Sequence, residues 1–178
     1  MTKAELKREA KEQFSYEPLI SIVIPLYNTP LNYLQELLDS ITGQTYTNWQ
    51  LCLADGSPND QGKDFLEKKY KKETRITYQK LKKNGGISEN TNAALQMARG
   101  EFIMLSDHDD VLEKNALYEI VKAINSGKKP DVIYTDEDKV SMDGKEYFDP
   151  HFKPDFNWEM FRCNNYICHI FVVSKKIV

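Results

Sequence analysis

No apolar run in this chain of 178 residues approaches the roughly 20 that a membrane helix needs. Its first stretch, MTKAELKREAKEQF, has no apolar centre, so a secretory leader is not expected. A basic excess is missing too: 24 Lys and Arg stand against 27 Asp and Glu, a formal net charge of -3, which argues against a nucleic-acid partner. Cysteine is scarce. Cys52, Cys163 and Cys168 are an odd number without metal-site spacing and read as reduced thiols of a cytoplasmic protein. Neither G-x-G-x-x-G nor G-x-x-x-x-G-K-[ST] occurs, so dinucleotide and P-loop binding lack support. No internal repeat or low-complexity tract is present. What remains is ordinary globular composition, 40% hydrophobic and 29% charged, in a chain long enough for one domain with a proper core.

Residues 1–18 read as a charged amphipathic segment. A helix over 3–14 carries Leu6, Ala10 and Phe14 on one stripe and ends before Pro18. It suits a lid, a linker, or a surface docking on a partner or on the inner face of the cell membrane. From residue 19 the pattern alternates. Residues 19–24 form a buried strand. Thr29 then caps a helix that Pro30 opens, with Leu31, Leu34, Leu38 and Ile41 on its apolar face. A second strand over 49–54, with Cys52 in its core, stops at Asp55-Gly56-Ser57-Pro58, which is turn chemistry. A short helix around Phe65, Leu66 and Tyr70 precedes a third strand over 75–79. Asn84-Gly85-Gly86 turns the chain, and Ser88 caps a helix that runs through Ala98 and stops at Gly100. A fourth strand (101–105), a helix (112–124) with Leu117, Ile120, Val121 and Ile124 inward, a fifth strand (132–134) and a sixth (170–173) follow. The alternation predicts an α/β fold with a mostly parallel sheet flanked by helices on both faces. Ligands of such sheets bind beyond the carboxyl ends of the strands.

Three polar clusters fall at those ends: Tyr27-Asn28, Asp55-Gly56-Ser57 and Asp107-His108-Asp109-Asp110. The three carboxylates of the last repel one another unless a cation or water screens them. Asp107 and Asp109, two apart, can share a crevice and hold Mg²⁺ or Mn²⁺, which take one or two carboxylates plus substrate phosphates. Such an ion stabilises a departing diphosphate. The competing reading is a solvated loop with Asp110 capping the next helix. Asp55 can accept the N3–H of uracil or thymine, or shape an Asx turn. Pro25-Leu26-Tyr27-Asn28 either lines a nucleotide pocket or caps a helix. Asn84-Gly85-Gly86-Ile87-Ser88 leads into a helix amino end, which favours anions. Asp136-Glu137-Asp138 is a second acidic cluster, suited to sugar hydroxyls, to a general base, or to plain solvation. The aromatic-rich stretch His151, Phe152, Phe156, Trp158, Phe161 and Tyr166 suits sugar stacking or core filling. His108 and His169 read as structural, the latter as a buried hydrogen-bonded ring.

Taken in order, these segments resemble a known family. Ile22-Val23-Ile24-Pro25-Leu26-Tyr27-Asn28, residues 40–46 (Ser-Ile-Thr-Gly-Gln-Thr-Tyr), Asp55-Gly56-Ser57, Gly86-Ile87-Ser88 with Asn92, residues 98–102 (Ala-Arg-Gly-Glu-Phe) and Asp107-His108-Asp109-Asp110 look like family 2 glycosyltransferases with the GT-A fold, a Rossmann-like nucleotide-diphospho-sugar transferase fold. Residues 134–138, Lys153-Pro154-Asp155 and residues 165–169 (Asn-Tyr-Ile-Cys-His) look like the rhamnosyltransferase-type members of O-antigen and capsule pathways. The resemblance covers residues 19–178. It implies that Asp55 binds the base, that Pro25, Tyr27 and Asn28 line the base and ribose, and that Gly86, Asn92 and His108 belong to the nucleotide site. Asp107 and Asp109 would be the D-x-D that holds ribose and Mg²⁺ or Mn²⁺. The implied reaction is inverting transfer from a UDP- or dTDP-sugar to a saccharide or lipid-linked acceptor.

The chain departs from the family pattern in two places. Ala54 stands where many relatives carry a further carboxylate. The acidic acceptor-side motif with the catalytic base is expected beyond Val178, with Asp136, Glu137 and Asp138 as acceptor-side candidates within the chain. Rival readings are a haloacid-dehalogenase-type phosphatase with Asp107 as nucleophile, a receiver domain with Asp55 as phosphoacceptor, and a non-catalytic nucleotide-sugar-binding module.

Overall fold

Side chains alternate between the two faces of a strand, so a continuous apolar run fits a sheet covered on both sides. The computed structural model of the chain, which describes residues 2–142 and 144–178, has that arrangement. After α1 (Lys3–Glu9) come β1 (Ile20–Leu26), α2 (Leu31–Thr42), β2 (Trp49–Asp55), α3 (Gln61–Lys69), β3 (Ile76–Lys80), α4 (Ile87–Gln96), β4 (Phe102–Leu105), α5 (Ala116–Ile124) and β5 (Val132–Tyr134). A hairpin of β6 (Glu137–Val140) and β7 (Tyr147–His151) follows, then α6 (Trp158–Cys163) and β8 (Phe171–Ser174).

The main sheet has the order β3-β2-β1-β4-β8-β5. β1 to β4 pair in parallel, and β8 runs antiparallel between β4 and β5. Ile20, Ile22, Ile24 and Leu26 face α2 and α5, meeting Leu34, Leu37, Leu38 and Ile41 from one helix and Leu117, Ile120, Val121 and Ile124 from the other. Val23, Cys52 and Ala54 face the other way, against Ala94 of α4 and Ala98 after it. Small residues on both sides of that contact let α4 lie close to the sheet. The turn into β4 is closer still. A Cβ on Gly100 would stand 2.5 Å from the Leu19 carbonyl oxygen, so only glycine fits there.

Several boundaries differ from expectation. α1 ends at Glu9 rather than running to residue 14. Phe14 still reaches the core, with its ring 5.3 Å from Tyr118 and 6.4 Å from Tyr46, but from an irregular segment; aromatic packing outweighs continuation of a short polar helix. Thr29 does not cap α2, and its hydroxyl is buried without a partner. α4 starts at Ile87 behind Gly86, whose φ of 86° suits glycine, so Ser88 lies inside the first turn rather than capping it. α5 starts at Ala116, not at 112, and Asp110 does not cap it. Both faces of the β6–β7 hairpin are largely exposed, so its strands carry no period-two signal in the sequence.

Candidate functional site

Strands β1, β2 and β3 follow one another in one direction, while β4 lies on the opposite side of β1. The strand order therefore reverses between β1 and β4, which is where open α/β sheets bind ligands. β8 contributes to the same rim because it runs the other way. Leu105 pairs with Phe171, so the chain two residues after Leu105 meets the chain two residues before Phe171. Those residues are Asp107 and His169, and His169 Nε2 lies 3.2 Å from Asp107 Oδ2.

Asp110 completes the group. Asp107, Asp110 and His169 can each bring one ligand atom within 4.8 Å of the others. The hydrogen bond from His169 holds the Asp107 carboxyl below its ordinary value, against the opposing effect of burial. The same bond holds the His169 imidazole above its ordinary value. Burial pushes Asp110 up. Next to Asp107 in the chain, Ser106 Oγ and His108 Nδ1 are buried without partners. Two carboxylates and an imidazole in reach of one another, with orphaned polar atoms alongside, fit a divalent cation; carboxylates suit Mg²⁺ and Mn²⁺.

Asp55 ends β2 in a different environment. It is 1% exposed. Its Oδ1 accepts the Ser57 N–H at 2.7 Å, its Oδ2 accepts the Tyr78 hydroxyl at 2.7 Å, and Lys80 Nζ lies 3.7 Å away. The Tyr78 hydroxyl is pushed well above its usual range by burial and by this bond. Asp55 lines a cleft of about 180 Å³ with Asn28, Ser57, Asn59 and Gln61. That is below the roughly 300 Å³ at the small end of ligand pockets, a space for a ring rather than for a whole nucleotide sugar. Asn28, at φ 51°, donates its N–H to Ser57 Oγ at 2.8 Å and so ties the β1 loop to the β2 loop. Asn90 locks the third side: its side chain donates to Asn84 Oδ1 at 2.8 Å and accepts the Gly85 N–H at 3.1 Å. A Cβ on Gly56 would stand 2.8 Å from Asn90 Nδ2, so the β2 loop is pressed against this turn.

Asn28 and Asp55 line one cleft, and Asp107 and His108 follow β4 on the same edge of the sheet, with Pro25 inside β1. Tyr27 is exposed beside Asn28, Gly86 heads α4, and Asn92 is exposed on α4, where Asn90 is the buried asparagine. Asp109 is exposed and lies outside the Asp107–Asp110–His169 group. Asp136 accepts the Lys153 N–H at 2.8 Å, Glu137 opens β6, and Asp138 is exposed. His169 is half-exposed rather than buried, and its ring is hydrogen-bonded as expected, to Asp107 of the acidic group. Asp110, expected as a helix cap, is the other member that spacing alone did not assign to a cation. The three cysteines are free thiols, with Cys52 in the core as expected.

A family model described as Glycosyl transferase family 2 matches residues 21–178. O-antigen biosynthesis protein RfbC of Myxococcus xanthus is 30% identical over 170 residues, 95% of this chain but 13% of the relative. The chain thus spans a small part of that relative, and 18% or less of the other leading curated relatives. S. aureus TarS 1-349 in complex with UDP superposes with a TM-score of 0.58 at 28% identity, over 65% of this chain and 34% of that one. Mannosyltransferase PcManGT from Pyrobaculum calidifontis, solved with GDP-Man and Mn²⁺, gives a TM-score of 0.60 over 74% of this chain and 41% of that one; at 20% identity this shows the fold alone.

Proposed function

Because this chain belongs to glycosyl transferase family 2 and has its GT-A fold, we propose that it is the donor-binding part of an inverting, metal-dependent transferase in surface-polysaccharide synthesis. It would take a UDP- or dTDP-sugar and pass the sugar to a saccharide or lipid-linked acceptor. One observation carries the reading. The buried Asp55 cleft and the Asp107–Asp110–His169 group stand on the same rim, on either side of the point where the strand order reverses. A base in the cleft and a diphosphate at the carboxylate and imidazole group would then share one rim.

Each residue then has a task. Asp55 keeps lone pairs beyond those used by Ser57 and Tyr78 and would accept a base N3–H. Asn28 and Ser57 shape the wall of the cleft. Asp107, Asp110 and His169 would hold Mg²⁺ or Mn²⁺, whose charge would offset that of the departing diphosphate. An acceptor hydroxyl would attack the anomeric carbon as the bond to the diphosphate breaks, its proton passing to a carboxylate base. Glu137 is unsuited to that role because three neighbours already occupy its carboxylate. UDP in TarS and the O-antigen role of RfbC support the donor and the pathway. The receiver reading loses ground because Asp55 is enclosed and hydrogen-bonded.

Calorimetric titration of UDP, dTDP and GDP, with and without Mn²⁺, tests this. We expect UDP or dTDP to bind in the presence of Mn²⁺, GDP to bind more weakly, and Asp107→Asn to abolish the metal dependence. Equal binding of all three with no response to Mn²⁺ would overturn both the base and the metal assignments.

A further inference from the structure

Lys153 is a charged residue that the donor reading does not use. Its side chain is 1% exposed. Burial of an ammonium group is unfavourable unless its donors are answered. Here Nζ donates to Glu137 Oε2 at 3.2 Å and to the carbonyl oxygens of Ile167 and His169. The same Glu137 oxygen accepts the His169 N–H at 3.1 Å, and Oε1 lies 3.0 Å from His151 Nδ1. Burial pushes the Glu137 carboxyl up, but the bonds from His151, Lys153 and His169 outweigh it and hold the group below its ordinary value.

The backbone of His169 is thus gripped at both ends, its N–H by Glu137 and its carbonyl by Lys153. Cys168 just before it sits at φ 42°, a conformation that a residue with a Cβ holds only when its surroundings impose it. Ile170 N–H donates to Thr135 Oγ1 at 3.3 Å and fixes the other flank. With the backbone held there, the imidazole reaches Asp107. A buried ion pair is weak evidence for stability, since apolar side chains of similar volume often serve as well. What this pair does supply is a fixed direction for one ring.

We propose that Lys153 and Glu137 are positioning residues which hold His169 as a ligand for a divalent cation at the Asp107–Asp110–His169 group. The proposal rests on the metal reading given above and adds that affinity for the ion is set by a lysine that never touches it. Residues supporting a ligand in this way typically change metal affinity by about 10- to 100-fold.

The test is Mn²⁺ binding followed by electron paramagnetic resonance on the 178-residue chain, alone and with UDP, for wild type, Lys153→Met, Glu137→Gln, His169→Ala and the Lys153→Met/His169→Ala double variant. We expect Lys153→Met and Glu137→Gln each to weaken Mn²⁺ binding about tenfold or more. The double variant should bind no more weakly than His169→Ala, because the lysine acts through that ring. Glu137→Gln is isosteric and carries the test if Lys153→Met does not fold. Mn²⁺ affinity within twofold of wild type in Glu137→Gln or in folded Lys153→Met, whatever happens to the melting temperature, overturns the proposal. So does a double variant in which the two losses multiply. Binding that needs Asp107 and His169 but neither Lys153 nor Glu137 overturns this inference alone. A wild type that binds no Mn²⁺ sinks the metal reading as well.

Discussion

Ile22 and Trp49, in the parallel part of the sheet, are 0% and 1% exposed, whereas Phe152 and Trp158, beyond the hairpin, are 76% and 59% exposed. The first region is a finished two-faced core. The second carries equally apolar side chains but turns many of them outward: Phe156, Trp158 and Phe161 are exposed and stack on one another, with Phe161 also edge-on to the buried Tyr166. The two regions are joined at the rim by polar contacts: His169 to Asp107, and Lys153 to Glu137 and the 167–169 backbone. Stability thus resides on one side and a large exposed aromatic surface on the other. The acidic group sits on the seam between them.

That division can be broken most directly by truncating apolar residues on each side. Ile22→Ala should lose about 2–5 kcal/mol in urea unfolding, since it empties a fully enclosed site. Phe152→Ala should cost less than about 0.5 kcal/mol, as expected of an exposed position. Similar losses would refute the comparison.

The polar residues sharpen it. Asp55→Ala leaves the Tyr78 hydroxyl and the Ser57 N–H without their acceptor, and should cost about 1–3 kcal/mol of stability together with UDP binding. His169→Ala should leave stability within about 0.5 kcal/mol, as read by thermal melting, while lowering Mn²⁺ affinity. A His169→Ala variant that unfolds as readily as Asp55→Ala would place the seam inside the core.

Acid sensitivity is a smaller effect. The side-chain hydrogen bond from Arg75 holds the Glu73 carboxyl below its ordinary value of 4.5. A carboxylate with a depressed folded-state pKa contributes stability above its unfolded value, and that contribution is lost as pH falls through the folded one. Melting measured from pH 6 down to pH 3 should therefore fall less steeply in Glu73→Gln than in wild type. The smallest effect belongs to the hairpin. Lys139 and Asp149 pair across β6 and β7 in full solvent, so Lys139→Ala should leave the melting temperature unchanged.

The strands of the core were legible because β-branched and aliphatic runs ending at Asp55 and Asp107 leave few alternatives to buried parallel strands. The same ends correctly marked the rim. Helix starts were less legible: Thr29, Ser88 and Asp110 have capping chemistry, yet none caps its helix, because side-chain type alone does not say whether the neighbouring turn is free to accept a cap. The exposure of His169 was illegible for a different reason. Between Cys168 and an apolar strand it has the local pattern of a buried ring. Nothing local indicates that the following strand inserts antiparallel between β4 and β5.

The α/β class, the two-faced core and the carboxylates at the strand ends can all be read from short stretches of the chain, since they follow from periodicity and turn chemistry over a few neighbouring residues. Only the assembled sheet sets Leu105 opposite Phe171, brings Asp107 and Asp110 to His169, and encloses Lys153 beneath them. Such pairings join distant parts of the chain. They are selected by how the whole sheet buries its two faces, and no short stretch of residues carries that information.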